Sequence, residues 1–238
     1  MTPPSIRSPS RQARIAGALY VAIILLGLFA EVWVREGLVR PGDPAGTASA
    51  ILGHDLLFRL GFAAEATVNL IAIPVTLIVY RLLAPVDRGL ALTAVVFDLT
   101  QNTVNAINAW TQFAPLTLLG SGPDLAAIPF AERAAFARLA LHWHDVGFQI
   151  ALGFFGVALV LYGVLIFRST FWPRWLGVVY GLAGVSYFVD SFAYFLAPHL
   201  GLGVVLLLLC LVGESVFALW LLVTGVNESK WRAVAGET

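Results

Sequence analysis

The sequence predicts an all-α fold, a six-transmembrane-helix bundle with the N and C termini in the cytoplasm. Three observations lead there: the composition, six long apolar runs, and the distribution of Lys and Arg between them. Of 238 residues, 59% are hydrophobic and 12% are charged, whereas soluble domains have roughly 45–50% apolar and about 25% charged residues. The composition therefore excludes a soluble enzyme.

Charge and cysteine content exclude further classes of protein. Fourteen Lys and Arg balance fourteen Asp and Glu, so the chain lacks the basic surface typical of nucleic-acid binding. The single cysteine, Cys210, excludes an internal disulfide and a thiolate zinc site. The partners that we expect are the lipid bilayer and, beyond it, a protein partner or a second copy of the chain, but not nucleic acid.

Six runs reach the roughly 20 apolar residues that span about 30 Å of hydrocarbon. In order they cover residues 15–34, 56–83, 89–119, 138–167, 175–196 and 203–226. The third and fourth are long enough to tilt or to project beyond the bilayer. Shorter helices are predicted at 47–52 and as an amphipathic extension of the fourth run over 126–141. The predicted organisation is a disordered cytoplasmic N-terminus (1–14), a transmembrane domain (15–226) and a cytoplasmic C-terminal tail (227–238).

Lys and Arg are distributed unequally between the two sides of the predicted bundle. Nine Lys and Arg residues lie on the side shared by both termini, namely Arg7, Arg11, Arg14, Arg81, Arg88, Arg168, Arg174, Lys230 and Arg232. On the opposite side lie four, namely Arg35, Arg40, Arg133 and Arg138, with Arg59 just inside the second span. Cytoplasmic loops carry the excess of positive residues, so both termini are predicted to be cytoplasmic.

Tryptophans and glycines indicate how the spans are placed and packed. Five tryptophans near span ends are predicted to lie at the membrane interface, namely Trp33, Trp110, Trp172, Trp175 and Trp231. Gly177, Gly181 and Gly184 form a stripe of small residues that lets another helix approach closely. We expect this stripe to pack within the bundle, with a dimer contact as the alternative.

Each predicted span contributes at least one acid, and most of these acids fall in its outer half or near the midplane. Five of them, Glu31, Glu65, Asp98, Asp190 and Glu214, have only one nearby arginine, Arg59. Unbalanced carboxylates within a membrane must be protonated, bind a cation or contact water. We therefore expect an outward-facing polar pocket, closed below by an apolar inner half. Its predicted ligand-binding residues are Glu31, Arg59, Glu65, Asp98, Asn102, Asn105, Asp145, Asp190 and Glu214.

A divalent metal is an alternative occupant of this pocket. Carboxylates together with His54, His142 or His144 could ligate zinc, iron or manganese. The sequence contains no H-E-x-x-H or E-x-x-H spacing, so such ligands would come from different helices. His142 and His144 are two residues apart, and their side chains point about 200° apart on a helix.

Several blocks of the sequence resemble a bacterial membrane family, domain of unknown function 4386. They are RIAGALY (14–20), LLFRLGF (56–62), VYRLL (79–83), VLIFRSTFWPRWLGV (164–178), YFVDSF (187–192) and GESVFALWLLVTGV (213–226). The resemblance covers about residues 13–226. It implies a small all-helical bundle in a bacterial cytoplasmic membrane and carries over no activity or site residue.

Three functions remain open at this stage. The first is binding or transport of a cation, a proton or a small polar ligand in the carboxylate-rich pocket. The second is an accessory or scaffold subunit of a larger membrane complex. The third is an outer-leaflet, metal-assisted hydrolase that acts on a lipid or a lipid-linked substrate.

Overall fold

A computed structural model of the chain describes residues 8–200 and 203–236, and this part contains helices but no β-strand. The first seven residues of the predicted N-terminal segment lie outside the described part. Eight α-helices follow in order: α1 (Pro9–Leu28), α2 (Pro44–Gly53), α3 (Asp55–Leu83), α4 (Arg88–Leu119), α5 (Phe130–Arg168), α6 (Arg174–Leu196), α7 (Gly203–Val223) and α8 (Glu228–Ala235). The all-α prediction is confirmed for the described residues.

Five segments of the described chain are long and apolar enough to cross a membrane. They are Pro9–Glu36, Asp55–Leu83, Phe130–Arg168, Arg174–Leu196 and Gly203–Val223. The third predicted span, α4, forms a helix of 32 residues, about 48 Å long at 1.5 Å per residue. It is not among these five segments. Its hydropathy is lower because the helix contains Asp98 and a row of Asn and Gln side chains at spacings of three and four.

Two helices begin earlier than predicted. Helix α1 starts at Pro9, so residues 9–14 are helical where the sequence predicted disorder. Its end is wound as a π-helix from Phe29 to Glu36. Helix α5 starts at Phe130, eight residues before the predicted span at 138 and four residues after the predicted start of its amphipathic extension at 126.

The short helices begin at residues that cap them. Asp43 precedes α2, and its side chain accepts a hydrogen bond from the backbone N–H of Gly46 at 2.7 Å. Asn227 does the same for Lys230 at the start of α8, at 3.2 Å. Such caps satisfy N–H groups that the first helical turn leaves without partners.

The described residues form two compact units. The first unit comprises the residues up to Ala22, Ile71–Asn102, and those from Gln149 onwards, and it therefore includes α6, α7 and α8. The second unit comprises Ile23–Leu70 and Thr103–Phe148. Helices α1, α3, α4 and α5 each contribute residues to both.

Glycines bring α5 and α6 into backbone contact in the first unit. A Cβ added to Gly184 of α6 would lie 2.6 Å from the carbonyl oxygen of Gly156 in α5. A Cβ on Gly177 would lie 2.6 Å from the carbonyl oxygen of Gly163. Only glycine permits this approach, as in small-residue packing of membrane helices generally. The predicted packing of the glycine stripe within the bundle is confirmed.

Two of the five tryptophans are core residues rather than interfacial anchors. Trp172 and Trp231 are buried, and their indole N–H groups donate to the carbonyl oxygens of Gly225 at 2.8 Å and Leu82 at 2.9 Å. The prediction was wrong for these two because position near a span end does not reveal which way a ring points. Exposed positions are occupied by the other three, Trp33, Trp110 and Trp175.

The second unit has an apolar core of its own. Its buried members come from the π-helical segment and the residues after it, α2, the start of α3, the end of α4 and the start of α5. They are Val34, Leu38, Ala48, Ile51, Phe58, Leu116, Leu119, Ala134, Ala137 and Leu141. This core holds the π-helical segment against the first turns of α5, which positions the site described next.

Candidate functional site

An arginine between two carboxylates is the most concentrated charge cluster of the second unit. Arg35, in the π-helical segment, has a side chain only 11% exposed. It donates to both carboxylate oxygens of Glu31, four residues earlier, and to Asp145 Oδ1 of α5 at 2.9 Å. Because one guanidinium faces two carboxylates, the cluster carries a net negative charge.

The charge cluster lies in the wall of a cleft of about 270 Å³. The side chains of Glu31 and Asp145 are 40% and 36% exposed, so each keeps an open edge beside the buried guanidinium. The cleft is lined by Glu31, Arg35, Glu36, Val39, Pro41, Arg138, Leu141 and Asp145. A carboxylate accepts hydrogen bonds at about four lone-pair sites, so these open edges can receive further donors.

A buried histidine occupies the second unit beside this cluster. His144 Nδ1 lies 3.3 Å from the side-chain nitrogen of Asn108 and 3.3 Å from Thr111 Oγ1, both of α4. An amide nitrogen only donates, so the ring proton is assigned to Nε2. That atom faces Glu65 Oε1 of α3 at 3.7 Å.

Glycine at position 147 makes room for this arrangement. A Cβ there would overlap the side-chain amide of Asn108, which also donates to the carbonyl oxygen of His144 at 2.8 Å. His144 and the cleft both belong to the second unit. The arrangement can bind a cation at the open carboxylates, and it holds a neutral imidazole in a fixed orientation.

The first unit contains a buried carboxylate surrounded by tyrosines. Glu214 of α7 accepts hydrogen bonds from Tyr20 of α1 at 2.7 Å and from Tyr187 of α6. The hydroxyls of Tyr20 and Tyr180 lie 2.9 Å apart. Each carboxylate oxygen thus has its own donor, and the network joins three helices.

Asp98 and Asp190 also have neutral partners in the first unit. Asp98 accepts from Thr76 at 2.7 Å and from Tyr162 at 3.1 Å. Asp190 accepts from the Gln149 amide at 3.3 Å. Hydroxyl and amide donors, rather than arginine, satisfy these acids.

The predicted site residues do not form a single cluster. The structure brings together Glu31 and Asp145, and it brings together Glu65 and His144. Arg59, expected to balance a deep acid, is exposed and pairs with Asp55 at 2.8 Å. That pairing follows from the spacing of four residues on one helix.

The remaining predicted residues are divided between the two units. Asp98, Asn102, Asp190 and Glu214 belong to the first unit, and Asn105 belongs to the second. Asn102 is buried and Asn105 is half-buried. These two sets could not be separated from the sequence alone, because depth along a helix does not specify its neighbours.

The histidines proposed as metal ligands have different surroundings. His54 and His142 are exposed, whereas His144 is buried. Within the described ranges, no group of three or more His, Cys, Asp or Glu side chains is placed to hold a metal ion.

The sequence did not identify Arg35 as the partner of an acid, nor which tyrosines bind which acids. Arg35 was assigned to the loop charge, although its spacing of four from Glu31 indicates an ion pair on one helix. Tyr20, Tyr162, Tyr180 and Tyr187 each carry a polar hydroxyl in an otherwise apolar span. A hydroxyl buried in such a span needs a partner, and this signal could have indicated them.

The apolar helices and the polar groups enclosed among them define a helical, multi-pass membrane protein. Within that class, the chain belongs to the family described as a domain of unknown function (DUF4386), whose family model matches residues 15–225. The predicted resemblance is confirmed.

A curated relative extends the comparison. A stretch of 77 residues is 32% identical to an uncharacterized protein of Archaeoglobus fulgidus. The matched stretch is 32% of this chain and 45% of that protein, so the match spans less than half of the relative. No solved structure is significantly similar to the chain.

Proposed function

We propose that the protein binds a small cationic ligand in the cleft of the second unit. One observation carries the proposal: three carboxylates and two guanidiniums line a cleft of about 270 Å³, which leaves one negative charge uncompensated. A monovalent organic cation, such as a primary ammonium, matches both the charge and the size. Val39, Pro41 and Leu141 supply apolar contact for the rest of such a molecule.

The burial of Arg35 and its two carboxylate partners support a cation rather than an anion as the ligand. Its guanidinium is nearly buried and is occupied by two carboxylates, so few of its donors remain for an anionic ligand. The open edges in the cleft belong to Glu31 and Asp145. A ligand ammonium would form charge-assisted hydrogen bonds with them, which are stronger than neutral ones.

Six membrane crossings, with α4 as the third, fit the contacts at the helix ends. Asp87, just before α4, lies 3.9 Å from Arg168 at the end of α5. If α5 crosses the membrane, the chain must also cross in α4 for these two residues to meet on one side. Ser8 Oγ likewise lies 3.0 Å from Glu228 Oε1, and ends that meet on one side require an even number of crossings.

We place the cleft on the outer side of a bacterial cytoplasmic membrane. Nine Lys and Arg residues share the side of the termini and four lie opposite, so the positive-inside rule assigns the termini to the cytoplasm. Glu36 of the cleft ends the first span, and Val39 and Pro41 belong to the connection after it, which this topology places outside.

A structural role is proposed for the acids of the first unit. Glu214 and Asp98 each accept hydrogen bonds from two hydroxyls. Fully satisfied polar networks of this kind fix helix positions. This is the scaffold function suggested by the sequence, limited here to the packing of the chain's own helices.

Native mass spectrometry of gently solubilised protein, combined with elemental analysis, tests the proposal. We expect a stoichiometric adduct with the mass of a small organic cation, and we expect Asp145→Asn to lose it. The matched control is Glu132→Gln, which removes an exposed carboxylate of α5 outside the cleft. A stoichiometric divalent metal would replace the proposal with a metal site, and a copurified protein without any small adduct would favour the accessory subunit.

A further inference from the structure

A second cleft, in the first unit, lies between the connection from α5 to α6, the end of α7 and the start of α8. Its volume is about 450 Å³. The connection between α5 and α6 contributes Thr170, and the end of α7 contributes Trp220 and Thr224. The start of α8 contributes Asn227 and Lys230. Hydroxyls, an amide and one ammonium group therefore converge on a cleft with aromatic walls.

We propose that this cleft binds the phosphate headgroup of an anionic phospholipid. Lys230 is the only charged residue among those that line it, so the cleft attracts anions. The acid nearest in sequence, Glu228, is occupied elsewhere: it accepts hydrogen bonds from Ser8 and from the backbone N–H of Ser10. A cationic ligand would meet no carboxylate here.

The indole of Trp220 provides a second, independent observation. Its Nε1–H is buried and has no hydrogen-bond partner among the residues that the structure describes. A buried donor left without a partner costs about 1–3 kcal/mol. Trp220 lines the cleft, so a phosphate or glycerol oxygen bound there would satisfy the N–H once a shift of the indole exposes it. The ring is held in place by an edge contact with Trp175, with centroids 5.4 Å apart.

The apolar surface beside the cleft distinguishes a lipid from free phosphate. Trp175 contacts Trp220 of the cleft, Leu219 and Val223 adjoin the lining residues Trp220 and Thr224 in sequence, and the three are 49%, 51% and 70% exposed. In a membrane-spanning helix such residues face acyl chains. A lipid can place its headgroup against Lys230 and its chains along this surface, whereas inorganic phosphate would leave the surface unused.

Titration of the solubilised full chain with phosphatidylglycerol, followed by native mass spectrometry, tests the proposal. One basic residue near an anionic lipid contributes enough to change the affinity about fivefold, so Lys230→Gln should weaken binding by that factor. Arg232→Gln is the matched control, because Arg232 lies on the same helix but does not line the cleft. Lys230 is exposed, so its variant should fold normally.

Two further comparisons make the test specific. Trp220→Phe keeps the ring and removes the unpartnered donor, and it should weaken phosphatidylglycerol binding without lowering the melting temperature. Phosphatidylcholine should bind the wild type more weakly than phosphatidylglycerol does. Equal losses of phosphatidylglycerol binding in Lys230→Gln and Arg232→Gln would overturn the proposal. Binding of inorganic phosphate as strong as that of the lipid would also overturn it.

Discussion

Replacing Gly184 by alanine tests the close packing of α5 and α6. The added Cβ would lie 2.6 Å from the carbonyl oxygen of Gly156, 2.7 Å from the backbone nitrogen of Val160 and 2.8 Å from Leu159 Cβ. Ordinary contacts begin at 3.4 Å. Two of these three atoms belong to the backbone, so the two helices must separate.

The magnitude follows from two opposing effects. Overpacking of a tight interface costs about 3 kcal/mol, and alanine recovers about 1 kcal/mol of helix propensity over glycine. We therefore expect Gly184→Ala to lower the free energy of unfolding by about 2 kcal/mol, since the overpacking effect is the larger. Gly27→Ala is the matched control in α1, because a Cβ there meets nothing within 4 Å.

Denaturant unfolding in detergent, followed by tryptophan fluorescence, measures both variants. Gly27→Ala should match or exceed the stability of the wild type. The free energies of unfolding of the two variants should therefore differ by about 3 kcal/mol, because only Gly184→Ala introduces overpacking. A Gly184→Ala protein as stable as the Gly27→Ala protein would refute the packing argument.

Three further substitutions test individual contacts by the same unfolding assay. Tyr187→Phe removes one of the two donors to the buried carboxylate of Glu214 and should cost about 1–3 kcal/mol. Trp231→Phe removes the hydrogen bond to the Leu82 carbonyl and should also cost about 1–3 kcal/mol. In addition, it should speed tryptic cleavage of α8. Arg35→Gln leaves two carboxylates without their cation. Breaking a buried pair costs about 3–5 kcal/mol, and the partial exposure of these carboxylates reduces this to about 2 kcal/mol.

Each substitution has a matched control. Tyr80→Phe should leave the free energy of unfolding unchanged, because the Tyr80 hydroxyl has no hydrogen bond with any residue that the structure describes. Trp33, 66% exposed, is the control for Trp231. Arg59→Gln should leave the melting temperature unchanged, because its pair with Asp55 is exposed. A control that destabilises the protein as much as its test variant would contradict the contact in question.

Helix positions could be predicted from the sequence, but helix neighbours could not. Long apolar runs placed both ends of α3, α4 and α6 within about one residue, inside the usual uncertainty of helix ends. The partners of Glu214 come from α1 and α6, and hydropathy carries no information about the rotation of one helix against another. Trp172 shows the same limit, because its position near a span end was predicted but its burial was not.

The predicted pocket remains a prediction, and only the balance of charges along the cleft can be compared with it. A surplus of carboxylates over nearby cations was expected, and the cleft lining keeps that surplus. The cation that balances these acids was not predicted, because Arg59 was expected to do so and instead pairs with Asp55, whereas Arg35 was placed after the end of the first predicted span. The π-helical winding from Phe29 to Glu36 extends the first span to include Arg35, and no sequence pattern indicated it.

The most direct test of the proposed function is calorimetric titration of the solubilised protein with n-propylammonium, with n-propanol as its neutral counterpart. We expect saturable binding of the ammonium at one site, no binding of the alcohol, and loss of ammonium binding in Asp145→Asn but not in Glu132→Gln. Equal binding of the ammonium to the wild type and to Asp145→Asn, or equal binding of the alcohol and the ammonium, would contradict a cation site in the cleft.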